Sequence, residues 1–244
     1  MKKISILVLA VFLAPILAFA ADFRSGDNVS ISSEEIIKED IYAGAGSITS
    51  SGTIEGDFIG GGGNVLINGA VKGDVMIGGG TVNILGNVSD DIRVGGGNIL
   101  IQGLVGGDVI AGGGQLQILG PGIKGDVIAG GGLIQIEAPV SGDIKIGGGE
   151  VFINAPVAGS VFIQGDKIIF GSKALISGDL TYKSATEAKF ESGATVKGKI
   201  DFQKREARDK RDGAGIISMT VLLKFLMLLA AGLLIGFVFP RYAK

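Results

Sequence analysis

The chain has 244 residues, of which 44 are glycine and 5 proline; it has no cysteine, histidine or tryptophan, and its formal net charge is −2. These counts exclude disulfides, thiolate metal sites and histidine chemistry, and the near-neutral charge gives no general pull toward nucleic acid. An apolar content of 46% is too high for a disordered glycine-rich linker, and the missing G-X-Y period excludes collagen.

Residues 1–20 read as a secretory signal peptide. Lys2 and Lys3 open it, an apolar run comes next, and Ala18-Phe19-Ala20 forms a small-x-small cleavage site. An uncleaved anchor helix is the alternative. The signal directs the central part of the chain out of the cytoplasm. Residues 21–39 ("ADFRSGDNVSISSEEIIKE", starting at Ala21) are expected to form an irregular turn that caps the domain.

Residues 40–202 are a repeat. The phrase "GDVMIGGGTVNILGNVS" is preceded by "GDFIGGGGNVLINGAVK" and succeeded by "DDIRVGGGNILIQGLVG". Gly-Gly-Gly recurs at 61–63, 78–80, 95–97, 112–114, 130–132 and 147–149, so the steps are 17, 17, 17, 18 and 17. Gly44-Ala45-Gly46 and Gln164-Gly165-Asp166 are degenerate copies. A second marker, mostly Gly-Asp, keeps the same beat; Asp90-Asp91 and Gly159-Ser160 fill its slots. A fixed short period marks a solenoid.

Within one unit Val75 and Ile77 alternate with Asp74 and Met76, Val82 and Ile84 alternate with Thr81 and Asn83, and Val88 stands alone between Asn87 and Ser89. Three short period-2 pieces per turn predict a single-stranded parallel β-helix, triangular in section, with successive turns roughly 4.8 Å apart. Nine turns fit between Asp40 and Gly198. The glycines are assigned to corners that demand positive φ or tight bends. Pro121 and Pro139 are likewise placed at corners, where no ladder hydrogen bond is lost. After Gly159 the register loosens and Phe162, Phe170, Tyr182, Phe190 and Phe202 gather, either filling a wider core or forming an apolar end plate.

The column Asp57, Asp74, Asp91, Asp108, Asp126, Asp143 and Asp179 admits two readings. It is a cation ladder with oxygen ligands, or each Asp starts a strand and bonds a corner N–H; the second is favoured. No Gly-rich stretch reads G-x-x-x-x-G-K-[ST], so none is a phosphate loop. The turn is not the strict hexapeptide of β-helix acyltransferases, and their catalytic histidine is missing. No loop is long enough to wall a cleft for paired carboxylates. Outward positions read as mixed Asn, Gln, Thr, Lys and Glu, with no aromatic or basic stripe.

Residues 203–214 form a charged juxtamembrane linker, and 215–240 a transmembrane helix whose apolar run goes from Val221 to Phe239 with Lys224 as its single charge. The linker's five basic residues stand on the outer side, against the positive-inside rule, but long domains translocate regardless of loop charge. Gly232 and Gly236 form a G-x-x-x-G pattern that permits helix pairing. Residues 241–244 are a short tail, and one expectation is that the chain is a fragment of a longer protein with more membrane helices.

The segment "GDVMIGGGTVNILGNV…DDIRVGGGNILIQGLVGGDVIAGGG" resembles the polymer-forming β-helix of the bactofilin family. The resemblance covers about residues 40–200. It implies a right-handed coil whose ends stack into filaments that act as scaffolds, with no enzymatic site and no nucleotide. Two features depart from the family pattern: the secretory signal and the C-terminal span, where typical members are cytoplasmic. The expectation is therefore a non-catalytic scaffold of the cell envelope. It has no catalytic, cofactor or metal site. Its domain lies outside the cytoplasmic membrane, and its partners are other copies of itself, the membrane, and a cell-wall or envelope component. The alternatives are an extracytoplasmic binding or sensing module, and an accessory domain of a larger membrane protein.

Overall fold

The structure, a computed structural model, describes residues 21–205. The signal at 1–20, most of the linker, the apolar run from Val221 to Phe239, the Gly232/Gly236 pattern and the tail lie outside the described residues. Among those described, no helix is long and apolar enough to cross a membrane.

The fold is an all-β parallel solenoid of about 11 turns, about 17 residues each. Its rungs are Asp22–Ile31, Ile41–Ser50, Phe58–Ile67, Val75–Ile84, Ile92–Ile101, Val109–Ile118, Val127–Ile136, Ile144–Ile153, Val161–Phe170, Leu180–Ser184 and Ile200–Lys204. They are ordered along a single ladder as they are in the chain. The triglycines stack directly: Gly78 pairs with Gly61 and Gly95, and Gly79 with Gly62 and Gly96. The nine turns expected between 40 and 198 are present, and one further rung stands at each end. Residues 22–31, expected as part of an irregular cap, form a full rung in continuous register with Ile41–Ser50. With a spacing of roughly 4.8 Å, the stack is about 50 Å long.

Each turn differs from the expected three short strands. One ten-residue strand runs straight through the glycines, as in Val75–Ile84, and a short bridging segment around Val88 completes the turn. Along that strand the inward residues are Val75 and Ile77, then Val82 and Ile84. The alternation slips by one residue across the triplet, and the ladder passes from Gly79 to Thr81 with no pair at Gly80. The chain bends there without giving up its hydrogen bonds, because the backbone ladder needs no side chain.

Positive φ is not the reason for the triplet. Positive-φ glycines are Gly26, Gly122 and Gly193, none in a triglycine. Close approach is the reason instead: a Cβ on Gly79 would stand 2.9 Å from the Gly62 carbonyl oxygen, and one on Gly80 2.8 Å from that of Gly63. The first glycine is different. A Cβ on Gly44, Gly78 or Gly147 would meet nothing within 4 Å.

Five inward columns fill the core. One of them is isoleucine over six successive rungs, Ile67, Ile84, Ile101, Ile118, Ile136 and Ile153, all fully buried, with Ser50 before them and Phe170 after. Each such side chain contributes roughly 1.5–3 kcal/mol on burial, and only stacking buries it, since one turn has no second layer of its own. Pro121 and Pro139 sit outside the strands and exposed, as expected of corners. Of the late aromatics, Phe170 and Tyr182 are buried, so they fill the core; Phe190 and Phe202 stack on them at the end of the rod, with ring centroids 4.9 Å apart in each pair. Phe162 points outward.

Candidate functional site

Three features of the coil carry polar chemistry or exposed apolar surface: the aspartate column, the two tips, and one long face.

The aspartates form a hydrogen-bonded spine. Each carboxylate accepts from a backbone N–H one turn further on: Asp57 N–H to Asp40 Oδ1 at 2.9 Å, Asp74 N–H to Asp57 Oδ1 at 2.8 Å, Asp126 N–H to Asp108 Oδ1 at 2.7 Å. The series runs on through Asp143 and Ser160 to Asp179, which accepts from Lys199 N–H at 2.8 Å. This is the favoured reading of the column, with the N–H supplied by the next turn. It also explains the glycine before each aspartate. A Cβ on Gly73, Gly107, Gly125 or Gly142 would collide with the carboxylate of the preceding rung. Gly-Asp is thus one device split over two turns. Sequence reasoning omitted Asp40, whose local phrase lacks the glycine.

At one rung the device is altered. Asp90 replaces the glycine, and the Asp91 N–H to Asp74 Oδ1 bond is 3.0 Å. Asp74, Asp90 and Asp91 offer oxygens within 4.8 Å of one another. Arg93 answers this charge. Its guanidinium donates to Asp74 Oδ2 at 2.9 Å and Asp91 Oδ2 at 2.8 Å, and the bond to Asp74 holds its pKa above the ordinary value. Acidic clusters close to cations are common without a metal. Here the Oδ1 atoms of Asp74 and Asp91 are already spent on backbone N–H groups, and their Oδ2 atoms on arginine.

The two tips differ. In the first rung the positions that are apolar elsewhere hold Asp22 and Arg24, aligned with Ile41 and Ala43. Arg24 donates to Asp22 Oδ2 at 2.7 Å and to Glu35. The Glu35 hydrogen bond and that to Asp22 raise the Arg24 pKa; in return Arg24 lowers that of Glu35. In the last rung the aligned positions are Ile200 and Phe202, and Ile200 is 53% exposed. Phe190 and Val196 lie beside them at the same end.

The long face adds a feature that was not expected: a mixed, mostly apolar stripe, neither aromatic nor basic throughout. The second residue of each of the first nine rungs points outward, and the column reads Phe23, Tyr42, Ile59, Met76, Arg93, Ile110, Ile128, Lys145, Phe162, before Thr181 and Asp201 in the last two rungs. Phe23 is 76% exposed, Met76 47%, Ile110 44%, Ile128 45% and Phe162 39%, far from the burial of their inward neighbours. The sequence hid it because outward residues from several columns were averaged together.

Comparisons with protein families, with characterised proteins and with solved structures find no match to this chain.

Proposed function

We propose that the protein is a non-catalytic scaffold of the cell envelope: a bactofilin-like, three-sided coil of right-handed sense, held at the outer side of the cytoplasmic membrane by the apolar run from Val221 to Phe239, that joins other copies end to end. The right-handed sense accords with the general preference of parallel crossovers. The signal peptide supports export, and the apolar run supports anchoring. The observation that carries the reading is the tip geometry. The ladder starts at Asp22–Ile31 and stops at Ile200–Lys204, and no described strand pairs with the outer edge of either. An unpaired edge is a template for another chain. Of the two, the C-terminal tip has the better reason to associate, since it leaves Ile200 and Phe190 in water. Burying inward-facing Asp22, Arg24 and Glu35 at the other tip carries a desolvation cost.

The full-length chain in detergent, imaged by negative stain, is expected to show rods joined at their tips. Single rods at all concentrations would remove the scaffold reading. The exposed stripe favours a second reading, an extracytoplasmic binding module for an envelope protein, in which the stripe is covered and the tips stay free.

A further inference from the structure

The first glycine of each triplet needs an explanation that the coil itself does not give. Gly44, Gly61, Gly78, Gly95, Gly112, Gly130 and Gly147 stack in one column. The second and third glycines are excluded from bearing a Cβ by the rung below. At the first, the nearest atom to an added Cβ is 4.0 Å away at Gly95 and Gly112 and 3.9 Å at Gly130, and there is none within 4 Å at Gly44, Gly78 and Gly147; only Gly61 is tighter, at 3.2 Å. A side chain would fit at nearly every one of these seven rungs, and none is there; the rungs beyond them carry Ser25 at one end and Gln164 at the other. Glycine on a strand surface without an internal reason marks close approach by another backbone or side chain.

The surface beside this column identifies the visitor. Two residues earlier on these strands, on the same outward face, stands a mostly apolar ridge: Tyr42, Ile59, Met76, Ile110 and Ile128, interrupted by Arg93 and Lys145. Ridge and glycine trough run side by side over the seven rungs from Tyr42 and Gly44 to Lys145 and Gly147. A face of this form is complementary to itself under one operation only. A two-fold axis parallel to the rod, placed between the columns, sets the ridge of each copy in the trough of the other. Inverting one rod instead places ridge on ridge.

We infer that two copies of this chain pair side by side and parallel through this face. Ridge and trough run together over six rung intervals, from Gly44 to Gly147, about 29 Å, and the strand stretch from the aspartates to the bend is about 17 Å wide. That gives roughly 490 Å² per partner, about 980 Å² in all, near the ~1,000 Å² at the lower bound of a specific interface. The polar borders agree as well. The same axis brings the aspartate spine of each copy toward Asn64, Thr81, Asn98 and Gln115 of the other, where amide and hydroxyl donors face carboxylate oxygens; the column continues with Leu133 and Glu150, which offer none. A lipid surface fits less well, because the row of carboxylates borders the ridge along its length and is repelled by anionic headgroups. The Arg93 charge on the ridge is already held by Asp74 and Asp91.

The native chain has no cysteine, so disulfide trapping in the full-length protein in detergent reads the arrangement directly. Tyr42→Cys mixed with Gly44→Cys, and Lys145→Cys mixed with Gly147→Cys, are expected to cross-link at least tenfold above a Lys124→Cys control on another face. Cross-links of Tyr42→Cys with Gly147→Cys instead would overturn the parallel arrangement. No cross-link above the control, with rods still joined at their tips, would overturn the pairing and leave the end-to-end reading intact. Protection of the ridge cysteines only on adding phosphatidylglycerol vesicles would assign the face to the bilayer and overturn the pairing. Gly112→Glu should fill the trough and abolish the cross-links at least tenfold while circular dichroism stays native. Retention of the cross-links in that folded variant counts against the proposal.

Discussion

The two ends of the rod solve the same problem in opposite ways. Each terminal rung exposes positions that interior rungs bury. At the N-terminal rung those positions carry Asp22 and Arg24, closed into an ion-paired group with Glu35. At the C-terminal rung they carry Ile200 and Phe202, backed by the stacks Phe170–Phe190 and Tyr182–Phe202. Inward-pointing charge is a general device against edge pairing. Exposed aromatic surface does the reverse. One coil thus has a tip built to stay in water and a tip built to be covered.

The contrast predicts graded responses to substitution. The largest concerns the aromatic end. Phe170 is fully buried, and Phe170→Ala should cost about 3–5 kcal/mol in denaturant unfolding. Phe190→Ala removes only the half-exposed outer partner of the same stack and should cost about 1 kcal/mol in the isolated rod. Equal costs would mean that the last rung is buried by something else, and the contrast between tips would fail.

Next come the spine residues nearest each tip. Asp179→Ala frees the Lys199 N–H, and Asp40→Ala that of Asp57; both bonds are exposed, so each should cost about 0.5–1.5 kcal/mol, and Asn at either position should restore most of it by keeping Oδ1. Amide exchange at Lys199 and Asp57 reads the two ends separately. Faster exchange at the substituted end alone is expected. A uniform acceleration along the rod would deny that turns act as semi-independent layers.

The smallest effect is the dependence on pH at the charged tip. Arg24 lowers the Glu35 pKa, so this pairing is at full strength above the ordinary carboxylate pKa of about 4.3 and is lost as pH falls through the lower folded value. Amides of the first rung should therefore exchange faster below about pH 4, beyond any change at the last rung. Arg24→Leu should abolish the difference while changing overall stability by under about 1 kcal/mol.

Much of the fold was legible in the sequence, for a specific reason. A 17-residue beat in Gly-Gly-Gly and Gly-Asp fixes the stacking register, and the isoleucines at that spacing then form a column. The features that stayed hidden lie between turns. Strand continuity through Gly78–Gly80 was missed because glycine reads as a breaker in one dimension, whereas a parallel ladder holds it by backbone alone. The first turn was expected as an irregular cap and not as a regular rung because Ser25-Gly26-Asp27 lacks the triplet, although Ser25 pairs with Gly44. The carboxylate-to-next-turn bond links residues 17 apart, beyond any local motif. The apolar ridge is visible only when Met76, Ile110 and Ile128 are read as one column rather than as scattered outward residues.

The account turns on the C-terminal tip as the contact surface. Its most direct test is sedimentation velocity of the full-length chain in detergent, wild type beside Phe202→Glu, Phe190→Glu and Arg24→Leu. The prediction is a concentration-dependent conversion of the smallest species into one joined through the C-terminal tips for the wild type, loss of the joined species on either glutamate substitution, and its persistence in Arg24→Leu. A wild type that stays at the smallest species at every concentration, or glutamate variants that associate as the wild type does, would contradict it.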